Sequence, residues 1–255
     1  MKINGKTMIA TGGASGFGET CVRRFHKMGA NVVICDMNEE RGKKIEQELG
    51  ERCLFVKTDV TSDADATNLC AAVMEKFGAI HILVNCAGIG PAKRIIGRDG
   101  PIPLDFFKKV IDINLVGSFN ILSKVAWEMS KNKDGEDEEN GVIINTASAA
   151  AFEGQIGQAA YSASKGGIVS MTLTAARDLS RDGIRVCSIA PSTFLTPMAD
   201  TLSEEVIDSL SKQVPYPHRL GNPEEFAHLV QFIVENAYMN GETIRIDGAV
   251  RMAPR

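Results

Sequence analysis

The sequence predicts an α/β protein, a single doubly wound domain over residues 1–255 with a seven-stranded, mostly parallel sheet. Three observations carry that prediction. Short apolar runs alternate with stretches of helical periodicity along the whole chain. The first run, Lys6–Ala10, opens into a glycine-rich turn, Thr11-Gly12-Gly13-Ala14-Ser15-Gly16-Phe17-Gly18. A later run, Ile80–Val84, is apolar at nearly every position, as a central parallel strand covered on both faces requires. Strand, glycine turn and helix in that order describe a Rossmann unit, whose ligands lie at the carboxyl ends of the strands.

Length and composition set the limits. With 255 residues, 44% of them apolar, the chain can bury a large core without staples. Six cysteines (Cys21, Cys35, Cys53, Cys70, Cys86 and Cys187) are scattered with no C-x-x-C pair, so reduced, packed thiols are expected, with neither disulfides nor a metal site. The segment MKINGKTMIATGG runs straight into a strand, and no apolar run reaches 18 residues. The expectation is a cytoplasmic protein that does not span a membrane. Of the net charge of −4, the run Lys131–Asn140 supplies −3, with five acids against two lysines. It reads as a solvated loop. The near-neutral remainder lacks the basic footprint of a nucleic-acid binder.

In chain order, the glycine turn leads into a helix with small or apolar positions at Cys21, Val22, Phe25 and Met28. Glycines permit left-handed backbone and close approach, while free N–H groups at a helix start attract phosphate. Asn31–Cys35 is the second strand and ends in Asp36, twenty residues after Gly16, where a carboxylate would meet an adenosine ribose. Asp36 could equally cap the helix Asn38–Leu49. Cys53–Thr58 is the third strand, followed by Asp59-Val60 and a helix over Asp65–Phe77. After Ile80–Val84 comes Asn85-Cys86-Ala87-Gly88, then a loop, Gly90–Pro103, with Lys93, Arg94 and Arg98. A long helix is expected over 104–131. It carries Asn114 amid Ile113, Leu115 and Val116, which costs free energy unless its amide is satisfied.

Gly141–Leu173 is the stretch the other segments serve. A buried strand, Val142–Asn145, precedes Ser148, and a helix over 158–181 carries Tyr161 and Lys165 on one face, four residues apart. An ammonium beside a phenol favours the phenolate, so the Tyr161 pKa is expected to fall from its ordinary value, making it an acid/base. Tyr and Lys at this spacing are also an ordinary surface pair. Gly183–Ala190 is the sixth strand, leading into Pro191-Ser192-Thr193-Phe194-Leu195-Thr196-Pro197-Met198. A short helix over 203–212 and Pro215-Tyr216-Pro217 suggest a lid. Asn222-Pro223 begins a helix to Glu235, and Thr243–Ile246 is the seventh strand.

The thirteen-residue step from Ser148 to Tyr161, the Lys four further on, and the T-G-x-x-x-G-x-G turn together resemble the short-chain dehydrogenases/reductases, over nearly the whole chain. The resemblance implies hydride transfer between a nicotinamide and a secondary alcohol or ketone, without metal. It implies a catalytic set of Ser148, Tyr161, Lys165 and Asn114, the last relaying protons through water to the lysine. It further implies cofactor contacts from Gly12, Ser15, Gly16, Phe17, Gly18, Asp36, Asp59, Val60, Cys86, Ala87, Gly88, Tyr161, Lys165, Phe194 and Thr196. Cys86 and Ser192 depart from the family's usual Asn and Gly. NAD is expected over NADP, because Asp36 repels a 2′-phosphate.

Within the family, VIINTASAAAFEGQIGQAAYSASKGGIV and the ending NGETIRIDGAVRMAPR look like the type II 3-hydroxyacyl-CoA dehydrogenases, also called type 10 17β-hydroxysteroid dehydrogenases, and their bacterial relatives. That implies an acyl-CoA partner, substrate contacts from Ser148, Gln155 and Tyr161, and a homotetramer. A 3-oxoacyl-carrier-protein reductase, another secondary-alcohol or hydroxysteroid dehydrogenase, and a scaffold subunit keeping the fold stand as alternatives.

Overall fold

Seven short runs rich in β-branched and aliphatic residues form strands, the central ones buried on both faces. The computed structural model describes residues 1–132, 138–196 and 204–254. The strands of the main sheet are β1 (Thr7–Thr11), β2 (Asn31–Asp36), β3 (Cys53–Lys57), β4 (Ile82–Asn85), β7 (Gly141–Thr146), β8 (Ile184–Pro191) and β9 (Thr243–Ile246). Their order is β3-β2-β1-β4-β7-β8-β9. Every pairing is parallel, stricter than the mostly parallel sheet expected. The order reverses between β1 and β4, and the crevice at such a switch point is where doubly wound sheets bind ligands.

Alternation along each strand divides the core in two. Met8, Ala10, Val32, Ile34, Val84 and Ile144 face α1 (Gly16–Lys27) and α8 (Pro223–Glu235). Ile9, Val33, Leu83 and Ile143 face α3 (Asp63–Phe77) and α5 (Gly117–Met129). The helix starts follow their caps. Asn38 Oδ1 accepts the Arg41 N–H at 3.0 Å to begin α2 (Glu39–Leu49), and Asn222 forms a capping box with Glu225 ahead of α8.

Four local expectations are corrected. The helix over 104–131 is α4 (Leu104–Ile111), a π-helical segment Asp112–Val116, and α5 ending at Met129. The wide turn falls on the buried Asn114, whose amide bonds drag the backbone out of α register. The helix expected over 158–181 is α6 (Ala159–Asp178), tightening to a 3₁₀ turn at Leu179–Asp182 before the left-handed Gly183. Within the loop 90–103, Ile96–Gly97 (β5) and Gly100–Pro101 (β6) pair as a small antiparallel hairpin. Glu139, grouped with the solvated acidic run, is instead an inner ion-pair partner of Arg185, at 2.6 Å, and of the Met1 amine, at 3.0 Å. Its position beside β8 decides this, which charge patterning along the chain does not register. Residues 133–137 of that run, Pro197 and Met198 of the loop after β8, Ser203 of the expected lid helix and Arg255 lie outside the described residues.

Candidate active site

The glycine turn after β1 is shaped by contacts that exclude a β-carbon. Gly12 and Gly16 take φ of +62° and +52°, and a Cβ on Gly18 would lie 2.2 Å from the Gly12 carbonyl oxygen. Gly13, not singled out in the sequence, is held as tightly, since a Cβ there would meet the Ala10 carbonyl at 2.7 Å. The backbone thus turns sharply over the N-terminus of α1, at Ser15, whose side chain makes no cap. Thr11, next to the turn, stitches it to the loop after β4. Its hydroxyl accepts the Cys86 and Ala87 N–H groups at 3.0 Å and donates to Asn85 Oδ1 at 3.3 Å.

At the carboxyl end of β2, Asp36 uses one oxygen to accept the Ala14 N–H at 3.0 Å and the other to accept the Asn38 N–H at 2.9 Å. One lone pair on each oxygen remains for a diol. The cap of α2 is Asn38 rather than Asp36, and Asp36 orders the turn that leads to it. Past β3, Asp59 accepts from the Thr61 N–H and hydroxyl. Val60 packs where Gly117 leaves room, a Cβ there lying 2.6 Å from a Val60 methyl. Cys86 is no reactive thiol. Burial pushes it up to about 11, even with the Thr146 hydroxyl donating to its sulfur at 3.5 Å.

Ser148, Tyr161 and Lys165 stand together where β7 delivers the chain to α6. Ser148 is extended, and its Oγ accepts the Ala150 N–H at 3.1 Å. The Tyr161 phenol hydrogen-bonds with Ser148. Lys165, 5% exposed, donates to the Thr146 carbonyl at 2.6 Å with its Nζ 5.9 Å from the Tyr161 ring centre. The expected depression of the phenol is reversed here. Burial raises the Tyr161 pKa above its ordinary value, offset in part by Ser148, and burial lowers the Lys165 ammonium to about 8. At neutral pH the pair is a protonated phenol beside a cation.

Asn114 braces this group from behind. Its Oδ1 accepts the Ile89 N–H at 2.8 Å, and its amide donates to the Ile89 carbonyl at 2.9 Å and to Ser164 Oγ at 3.0 Å. Both amide protons are spent, and one Oδ1 lone pair remains. A Cβ on Gly88 would lie 3.1 Å from Asn114 Oδ1 and 3.7 Å from Lys165 Nζ, so the three groups share one corner.

Of the site residues expected from the sequence, all except Asn114 line one cleft of about 1270 Å³, larger than the roughly 300–1,000 Å³ of a site for a drug-sized molecule. Phe194 and Thr196 border it, Phe194 being wedged edge-on against Phe17 at 5.1 Å. The serine at 192 causes no strain, because its backbone stays out of the left-handed region where glycine would be needed. Gln155 also borders the cleft, although its amide donates to the Ala253 carbonyl at 3.0 Å. Leu210 of α7 (Glu204–Lys212) lies on the rim, which suits the expected lid. Lys93, Arg94 and Arg98, all exposed, do not line the cleft: Arg98 lies in the hairpin turn and Lys93 lies over the Phe106 ring at 5.6 Å; Lys108 and Lys109 of α4 do line it. Gln158, Val250 and Met252 also line it and were missed. Gln158 carries a local signal, three residues before Tyr161; the other two depend on how the end of the chain folds back. Among the described residues no cluster of His, Cys, Asp or Glu has metal-ligand geometry, and no helix is long and apolar enough to cross a membrane.

The family model described as short chain dehydrogenase matches residues 6–207, from β1 through α6 and into α7. This chain belongs to that family. The dehydrogenase is 49% identical over 254 residues to human 3-hydroxyacyl-CoA dehydrogenase type-2, covering 99% of this chain and 97% of that one. A crystal structure of 3-hydroxyacyl-CoA dehydrogenase type-2 from Mycobacterium avium superposes with a TM-score of 0.94 at 42% identity, over 98% of this chain and 97% of that one. The 3-oxoacyl-[acyl-carrier-protein] reductase of Thermotoga maritima is 32% identical over 256 residues, covering 98% of this chain and 99% of that protein. The dehydrogenase is thus an oxidoreductase acting on a CH–OH donor, with a nicotinamide coenzyme as hydride partner.

Proposed function

We propose that this dehydrogenase is NAD-dependent and interconverts a 3-hydroxyacyl-CoA and its 3-ketoacyl-CoA. The observation that carries the reading is that one continuous cleft has the glycine turn and Asp36 at one end and Ser148, Tyr161 and Lys165 at the other. The dinucleotide fits: the close backbone packing at Gly12, Gly13 and Gly18 forms a tight turn whose Gly12, Gly16 and Gly18 border the cleft at the start of α1, where a pyrophosphate would sit, and the Asp36 carboxylate has lone pairs for two ribose hydroxyls. Bound there, NAD supplies the hydride acceptor for oxidation, and NADH the donor for reduction.

The chain's own residues handle the oxygen and its proton. Ser148 donates to the substrate oxygen and Tyr161 moves the hydroxyl proton. Lys165 places a positive charge beside the phenol and the nicotinamide ribose, and Asn114 holds the Gly88–Ile89 turn against the lysine and relays protons toward it through water. Ser15, Phe17, Asp59, Val60, Cys86, Ala87, Gly88, Phe194 and Thr196 are assigned to the coenzyme's walls, and Gln155 to the thioester side. Because Tyr161 is protonated at neutral pH, the resting site is set to donate a proton to a ketone. Oxidation requires that proton to leave and is favoured as pH rises. The unpaired cysteines suit a reducing compartment, as a cytoplasmic enzyme would meet.

The relatives named for acyl-CoA and for acyl-carrier protein share this chemistry and differ in carrier. Asp36 favours the former reading, because its carboxylate repels the 2′-phosphate of NADP. A panel of 3-hydroxyacyl-CoA, acyl-carrier-protein, steroid and simple secondary-alcohol substrates, run with NAD and NADP, tests both points. The expected result is the highest kcat/KM with a 3-hydroxyacyl-CoA and NAD. Asp36→Ala combined with Met37→Arg should move coenzyme preference toward NADP by roughly 1.5–3 kcal/mol, the worth of a hydrogen bond to a charged group. Equal kcat/KM with the two coenzymes in the unmodified enzyme would contradict the role of Asp36, and a better steroid or carrier-protein substrate would contradict the acyl-CoA assignment.

We also propose a homotetramer. Val116, Phe119 and Trp127 are exposed along the π segment and α5, and Leu173 along α6, an apolar outer face that a second copy would cover. Light scattering after size-exclusion chromatography at micromolar concentration is expected to give four times the chain mass, and a monomer would refute the assembly.

A further inference from the structure

The end of the chain is fastened to the segment between Ser148 and α6, and Glu153 is the fastening point. Gly248 and Ala249 turn it back with successive left-handed φ of +57° and +67°. Glycine is required at the first position, where a Cβ would lie 2.6 Å from a Val214 methyl. Ala249 carries the cost of a left-handed residue with a side chain, which persists only where surrounding contacts over-determine it. Those contacts converge on Glu153. Its carboxylate pairs with Arg245, accepts the Met252 N–H at 2.6 Å and lies 3.5 Å from Arg251 Nε. Arg245 in turn lies over the Phe152 ring at 5.3 Å and pairs with Asp247 at 2.7 Å. Beyond Met252, Gln155 donates to the Ala253 carbonyl and the Ile156 N–H donates to the Pro254 carbonyl, both at 3.0 Å. The fastened tail presents Val250 and Met252 to the cleft that also holds Ser148, Gln155 and Tyr161.

We propose that the tail, residues 249–254, is the outer wall of the substrate end of the cleft, that Met252 limits the size of the group carried beyond the reacting carbon, and that Glu153 is the positioning residue that holds this wall. The proposal rests on the acyl-CoA reading only for the choice of substrates.

Met252→Ala and Glu153→Gln are compared with the unmodified enzyme on straight-chain and branched 3-hydroxyacyl-CoAs of increasing length. Met252→Ala is expected to raise kcat/KM for the longest or bulkiest substrate relative to the shortest by about tenfold, the low end of what one methylene contributes in an apolar pocket. Glu153→Gln should raise KM for every substrate by roughly tenfold with a smaller change in kcat and NADH affinity unmoved, and should speed amide exchange at 249–254. A general loss of stability would move coenzyme affinity and Tm as well. An unchanged size ratio in Met252→Ala overturns the wall, and unchanged KM and exchange in Glu153→Gln overturn the fastening. Should Glu153→Gln not fold, Met252→Ala decides alone. If the unmodified enzyme turns over no acyl-CoA, that reading falls, and the same size ratio measured on small and bulky secondary alcohols still judges the tail.

Discussion

Tyr161→Phe is expected to lower kcat by about 10²–10⁴-fold, the range that one positioned acid/base supplies, while NADH affinity stays nearly unchanged. The substitution removes a single oxygen. That oxygen hydrogen-bonds with Ser148 and carries the only proton Tyr161 can move, and it is not among the groups that shape the glycine turn. The ring remains, so the fold loses one partly buried hydrogen bond. Stopped-flow turnover and NADH fluorescence titration on the same preparation separate the two effects. A variant that keeps more than about a tenth of the turnover would sink the acid/base role. Since burial and not the lysine dominates the phenol, the unmodified enzyme should reduce a ketone well at neutral pH and gain oxidation rate as pH is raised.

Lys165→Met is expected to damage both coenzyme binding and rate, and to leave a signature in stability. The lost ammonium should weaken NADH binding by about 10- to 150-fold, the equivalent of the roughly 1.5–3 kcal/mol of a hydrogen bond to a charged group, and kcat should fall as well. The stability effect has a definite sign. Burial lowers the lysine from its ordinary 10.5 to about 8 in the folded protein, so between those values the unfolded chain holds the proton and the folded one does not. Stability of the unmodified enzyme therefore rises with pH across that window, and below pH 8 the buried cation costs on the order of 3 kcal/mol, at about 1.4 per pKa unit. Lys165→Met carries no such cost. Urea denaturation at pH 7 and pH 10 should show the variant's advantage shrinking as pH rises, and a constant difference would contradict a depressed Lys165.

Much of the fold and site follows from features local to short stretches of chain. Strand, glycine turn and helix start are local, so Gly12, Gly16 and Gly18 were legible wherever backbone must pass backbone closely. Asp36 was legible because it ends a strand. Tyr161 and Lys165 were legible because helical geometry alone puts positions four apart on one face, and Ser148 because it follows a buried strand. The seven strands were legible from apolar runs, within a residue or two at their ends.

Tertiary structure decided what depends on burial and on segments distant in sequence. The direction of the Tyr161 shift is one case, since burial outweighs the nearby ammonium and no pattern along the chain measures desolvation. The π turn at Asn114 is another, because it is set by Ile89 and Ser164, which lie 25 and 50 residues away. Glu139 looked like one acid in a solvated run until Arg185 and the Met1 amine reached it. The same holds for the wall of the cleft. Val250 and Met252 reach it on a tail whose Met252 N–H is taken by Glu153, about a hundred residues earlier, once β9 has been laid beside β8.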